Sequence, residues 1–227
     1  MFRLFVFVMS IFALQTVGLD VVVAQPKTSL FGSMEIRSTN MQAFGKWTEM
    51  WRRHNLPRNK ISNAEVVNAD KECVGLQRAS CSRAAWEAFV AQQETSDPAA
   101  LFKAVNSYMN KSPYILDPVN WGIPDYWATP NEFFMKDGDC EDYAISKYIT
   151  LKRLGYDPSL MRLVILQDEN LRVAHAVLAV KADGIFYILD NQVDAVLPDS
   201  KILHYRPVYS INEEGWWLHR ANRFLKK

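Results

Sequence analysis

The apolar residues of this chain change their period once, near residue 157, from helical to alternating. From Met41 to Leu56, the residues Met41, Phe44, Trp47 and Trp51 recur at helical spacing until Pro57 stops the run. These aromatics read as core rather than ligand contacts. Ser82 to Gln93 gives a second helix with Trp86, Phe89 and Val90 on one side. Asp97-Pro98 opens a third, a capping side chain followed by proline at the first helical position. That helix offers Leu101, Phe102, Val105 and Met109 for burial and ends before Pro113. Asp117 to Lys136 reads as irregular, with three prolines among Trp121, Tyr126, Trp127, Phe133 and Phe134. So much aromatic surface must pack, either as a plug for the core or as the wall of a substrate cleft. Asp139 then caps a helix running to about Leu154, with Gly155 and Asp157-Pro158 as its stop.

Beyond that point Met161–Gln167 and Ala174–Ala182 alternate as strands. Asp183-Gly184 is a two-residue hairpin turn, Ile185–Asn191 returns, and His204–Ile211 is one more strand. Helices followed by antiparallel strands predict an α+β fold. The expected organisation is one domain over residues 25–227, helical over about 40–156 and sheet over about 160–220.

Composition changes this picture only at the N-terminus. The chain has 227 residues, 49% hydrophobic and 22% charged, with a formal net charge of +1. That balance gives no footprint for nucleic acid, and none is expected as a partner. Arg3, the apolar run from Leu4 to Leu19, and Val22-Val23-Ala24 follow the pattern of a secretory signal over residues 1–24. An uncleaved anchor is the alternative, since the run nears the length of a membrane span. The expected location is an exported compartment, the periplasm.

Three cysteines fit an oxidising compartment. Cys73 and Cys81 close a small loop if they form a disulfide, with two structural thiols as the alternative. Cys140 is left over, at the predicted start of a helix, where exposed N–H groups and the dipole favour a thiolate. A two-residue turn at Asp183-Gly184 pairs Ala182 with Ile185 and brings His175 opposite Gln192. Asp190 then sits diagonal to His175 on the same face, ~7–8 Å away at Cα. A turn one residue longer would send Asp190 to the other face. His54, His204 and His219 lack such a neighbour and read as ordinary histidines. A thiol, an imidazole to take its proton and a carboxylate to fix the tautomer form a nucleophilic constellation.

Asp125-Tyr126-Trp127-Ala128-Thr129-Pro130, Gly138 to Ala144, Ala174 to Leu178 and Leu189-Asp190-Asn191 together resemble the bacterial transglutaminase-like cysteine peptidases, among them the LapG-type periplasmic proteases. The likeness runs from about Trp47 to the C-terminus, and the block around Cys140 is its most specific part. It implies a papain-like or transglutaminase-like fold, with Cys140 as nucleophile, His175 as general base and Asp190 as orienting acid. It implies calcium beside the cysteine, held by Asp139, Glu141 and Asp142. It further implies cleavage of a large surface adhesin near its N-terminus, with release of the adhesin and biofilm dispersal. The implied regulator is an inhibitory periplasmic domain of an inner-membrane receptor that responds to cyclic di-GMP.

The residues themselves raise a charge problem. Asp137, Asp139, Glu141 and Asp142 crowd four carboxylates into six positions. One or two acids at a helix start are favourable by ~0.3–1 kcal/mol each. Four repel one another and raise the thiol pKa. A hard cation relieves both effects, and calcium takes oxygen ligands in flexible geometry. The spacing is not that of an EF-hand. The Cys140 amide is a candidate oxyanion donor, and Trp121 or Trp127 a candidate indole donor or cleft wall. Two other functions stay open: acyl transfer to an amine by the same triad, and a silent binding domain of the same fold.

Overall fold

The computed structural model describes residues 29–56, 78–93 and 97–221. The candidate signal segment lies outside them, and so does the candidate disulfide, through Cys73 and the side chain of Cys81. The order is β1 (Met34–Ser38), α1 (Gly45–His54), α2 (Arg78–Ala91), α3 (Pro98–Met109), α4 (Asp117–Asn120), α5 (Pro130–Lys136) and α6 (Cys140–Arg153). Strands β2 (Met161–Asp168), β3 (Val173–Ala182), β4 (Ile185–Leu189), β5 (Leu197–Pro198), β6 (Tyr205–Asn212) and β7 (Gly215–Arg220) follow. All pair antiparallel in one sheet, ordered β1-β7-β6-β2-β3-β4-β5.

The α+β architecture is the expected one, with two differences. The sheet is not confined to the C-terminal half, because β1 comes from ahead of the helices and pairs with β7, Met34 opposite Arg220. The segment 117–136 is not wholly irregular. Its prolines mask a helix start: Pro130 takes the first turn of α5, and Thr129 and Glu132 close a capping box around it.

Alternation along the strands splits the apolar residues between two cores. Leu163, Leu178, Val180 and Leu189 face the helices, where Ile145, Tyr148 and Ile149 of α6 meet Trp47 of α1, Phe102 and Val105 of α3 and Phe133 of α5. Val164, Leu166, Val177, Ala179 and Ile188 form a smaller cluster with Tyr205 on the other face. Phe133, Phe134 and Trp127 of the aromatic segment are buried in the first core, so this part of it is a plug. Arg53 of α1 ties the plug down: its guanidinium donates to the Trp127 carbonyl at 2.6 Å, pairs with Glu132 and lies 4.3 Å over the Tyr126 ring.

Candidate active site

The tight turn at Asp183 and Gly184, both at positive φ, sets the hairpin register, with Ala182 opposite Ile185 and Leu178 opposite Leu189. The diagonal reading of His175 and Asp190 holds: His175 Nε2 lies 2.9 Å from Asp190 Oδ1, and both residues are buried. Asp190 is fully engaged. The Gln192 N–H donates to Oδ1 at 2.9 Å and the Tyr205 hydroxyl to Oδ2 at 2.6 Å. Burial pushes the Asp190 pKa up, but His175 and these donors outweigh it and hold the carboxyl below its usual range. The His175 ring packs against Tyr205, 5.9 Å between centroids. Nε2 is committed to Asp190, which leaves Nδ1 for a second partner.

Asp139 is the N-cap of α6 and Cys140 its first residue. This start is built around Asp142. Its Oδ1 accepts from the Ala128 N–H at 2.6 Å and its Oδ2 from the Asp139 N–H at 3.3 Å, which joins the end of the aromatic segment to the helix start. Gly138 is required here, because a Cβ at that position would collide with the Asp142 carboxylate. The Cys140 thiol points its proton to Glu141 Oε2 at 3.3 Å, and the backbone of Ala176, one residue past His175 near the start of β3, favours its ionised form. Burial, then the charges of Glu141 and Asp139, push the thiol well above its ordinary range.

The acid cluster differs from the one read from the sequence. Asp137 caps the end of α5 at φ 63° and lines a depression with Ser82, Tyr108 and Ser112, outside the acid groups that cluster around Cys140. Asp117 and Asp125, 23 and 15 positions before Cys140 in the chain, take its place. Carboxylate oxygens of Asp117, Asp139 and Asp142 lie within 4.8 Å of one another, as do those of Asp117, Asp125 and Glu141. The Tyr126 N–H holds Asp117 Oδ2, and the Asp117 N–H donates to Asp139 Oδ2 at 3.4 Å. Asp117 Oδ1 and Asp139 Oδ1 remain buried without a hydrogen-bond donor. Burial, then mutual repulsion, lifts Asp117 to about 6 and Glu141 to about 8. Asp139 and Asp142 are also raised, mainly by burial. Orphaned oxygens on clustered acids, all hard donors, fit a bound divalent cation of the calcium type.

Trp127 is 6% exposed and sets its ring edge-on to Trp47, 6.4 Å away, so its ring belongs chiefly to the core. Its remaining exposed edge borders a depression of about 300 Å³ with Phe44, Asp125 and Tyr209. Trp121 lies between Tyr126 (4.4 Å) and the Lys136 ammonium (4.2 Å), and its Nε1 is buried without an acceptor. Tyr205, Asp117 and Asp125 escaped the sequence reading. No local spacing links them to the site; Asp117 carried only a signal of its own, the Asp-Pro pair that opens α4.

The family model for bacterial transglutaminase-like cysteine proteinases matches residues 71–222. Among solved structures, LapG of Legionella pneumophila superposes with a TM-score of 0.57 at 33% identity, covering 62% of this chain and 79% of that one. Its calcium-bound form gives 0.59 at 30% identity, covering 74% and 94%, and its EGTA-treated form 0.58 at 32%, covering 63% and 78%. No curated protein matches the sequence significantly.

Proposed function

This chain belongs to the bacterial transglutaminase-like cysteine proteinases, and from that premise we propose that it is a calcium-dependent endopeptidase of the periplasm, in which Cys140, His175 and Asp190 form the catalytic set. The carrying observation is the closed His175–Asp190 pair, 2.9 Å apart, near the start of β3, where the backbone of the neighbouring Ala176 favours the Cys140 thiolate. In this reading His175 Nδ1 takes the thiol proton and Sγ attacks the scissile carbonyl. The Cys140 amide is a first-turn donor with no intrahelical partner, suited to the oxyanion. Asp190 keeps the imidazole in the tautomer that presents Nδ1 and stabilises the imidazolium. His175 then gives its proton to the leaving amine, and water attacks the acyl-enzyme with the same base.

Asp117, Asp125, Asp139, Glu141 and Asp142 are the residues that would hold calcium. Bound there, calcium would neutralise the carboxylates whose charge adds to burial in keeping the thiol protonated. Asp142 has a second task, since its two oxygens also accept the N–H groups that shape the helix start.

The substrate we propose is a large surface adhesin, cut near its N-terminus within a short alanine-containing motif, so that the adhesin leaves the cell and the biofilm disperses. The regulator in this reading is the periplasmic domain of a cyclic di-GMP-responsive receptor, which inhibits the protease by binding it. Replacing the chromosomal copy with Cys140→Ser tests the function: a surface protein should be retained at full size in the variant and released shortened in the wild type. Identical surface and secreted protein profiles in both strains would refute it.

A further inference from the structure

Lys147 lies on α6 two turns beyond Cys140, on the same side as Tyr143 and Ala144. It is fully buried, and its Nζ has no hydrogen-bond partner. A buried ammonium persists only where fixed charge or dipoles face it. Asp190 and Asp194 are the two charges that act on it, Asp190 the more strongly, while the Tyr143 ring stands 5.8 Å from Nζ. Burial draws the ammonium down to about 7 while the two aspartates pull it back up.

Those aspartates bound a segment, residues 190–194, that α3 clamps. Asn106 Nδ2 donates to the carbonyls of Val193 and Asp194 at 2.9 and 3.2 Å. Asn110 Nδ2 donates to the Asp190 carbonyl at 2.9 Å and the Asp194 carboxylate at 3.0 Å. The clamp uses only the amide donors: Oδ1 of Asn106, of Asn110 and of Asn191 is buried without a partner. A buried cation with unused donors thus acts on both ends of a segment whose clamp leaves amide oxygens without donors.

From this arrangement we infer that Lys147 is a positioning residue, an internal ammonium on the nucleophile's own helix that anchors the 190–194 segment and so holds the Asp190 carboxylate on His175. The inference rests on the reading of Asp190 as the orienting acid. It ties the helix that carries the thiol to the loop that carries the acid, which the chain otherwise connects only through β2, β3 and β4.

The test uses the calcium-loaded full chain at pH 6.5, where the ammonium form predominates. Iodoacetamide is the probe, Cys140 alkylation is followed by peptide mapping, and the proton shared by His175 and Asp190 is observed by NMR. Lys147→Met keeps the length of the side chain and removes its charge. Alkylation should slow about fivefold to tenfold, the size of a shift approaching one pKa unit at the His175–Asp190 pair, and the shared proton should move and broaden. Thermal stability should hold or rise, since a buried charge is removed. An unmoved proton resonance, with or without a slower rate, would mean a lysine that merely packs, and would overturn the inference. If Lys147→Met does not fold, Asp194→Asn at its exposed position should move the same resonance by less, and an unmoved resonance there would equally overturn the inference. Asp190→Asn separates the two readings. If it leaves alkylation unchanged, the catalytic set itself is wrong; if it slows alkylation while Lys147→Met does not, only the role of Lys147 falls.

Discussion

The two halves of the candidate site are finished to different degrees. On the sheet, His175 and Asp190 are complete: the pair is closed, Asp190 has a donor on each oxygen, and its charge is stabilised. At the start of α6 the opposite holds. Carboxylates of Asp117, Asp139 and Glu141 crowd together, two of their oxygens lack donors, and the thiol they surround is pushed away from ionisation. A strand pair can satisfy an acid from its own backbone and neighbours. A helix start furnished with acids cannot, because every added carboxylate brings acceptors and no donors. The difference teaches that the fold satisfies the His175–Asp190 pair from its own donors, whereas the helix start gathers acceptors faster than the described residues supply donors.

The hardest way to break this comparison is to remove the sheet half. His175→Ala should slow alkylation of Cys140 by about a hundredfold or more, in line with the loss of a general base. Equal labelling of the variant and wild type would mean that the thiol is not activated by the imidazole. The next largest effect concerns the helix half. Chelation should depress alkylation about tenfold to a hundredfold, since each unit by which the thiol pKa rises costs a factor of ten in thiolate. Calcium should restore the rate and magnesium should not, because magnesium demands a tighter octahedral shell. A stripped protein that keeps its full rate would remove the need for a cation.

Asp117→Asn sharpens the same point. Removing one charge from the cluster should weaken calcium binding by about tenfold, measured by titration calorimetry, with little effect on the chelated protein. An unchanged affinity would place the cation elsewhere.

The smallest effect is a pH slope. Asp117 and Glu141, lifted to about 6 and about 8, bind protons more tightly folded than unfolded, where carboxylates titrate near ~4. Their protonation therefore favours the folded state at low pH, and that contribution is lost as pH rises through about 6 and then about 8. The melting temperature of the chelated protein should fall across this window, and calcium should flatten the fall. A profile that calcium leaves unaltered would show that these acids are not its ligands.

Much of the fold was legible because its signals are local. Asp97-Pro98, Asp139 and Gly155 mark helix ends by chemistry within a few residues, and the structure has α3 and α6 beginning where they say. The hairpin turn did more, since two residues at positive φ decided which face Asp190 shares with His175. Signals that overlap were harder. Thr129-Pro130-Asn131-Glu132 carries a capping box, yet the surrounding prolines and aromatics hid α5. β1 and β7 were illegible for another reason: their pairing spans nearly the whole chain, and no local pattern specifies a partner so distant.

The sequence by itself determined the order Cys140, His175, Asp190, the helix that starts at the cysteine, and the excess of acid around it, because each depends on spacing and side-chain chemistry. Only the tertiary structure decided which acids share the site. It left Asp137 out at the end of α5, brought in Asp117 and Asp125, set Tyr205 on Asp190 and buried Lys147 in α6. Such choices depend on where distant backbones cross. They follow from packing the aromatic segment under Arg53 and α6 against the sheet, which no period along the chain records.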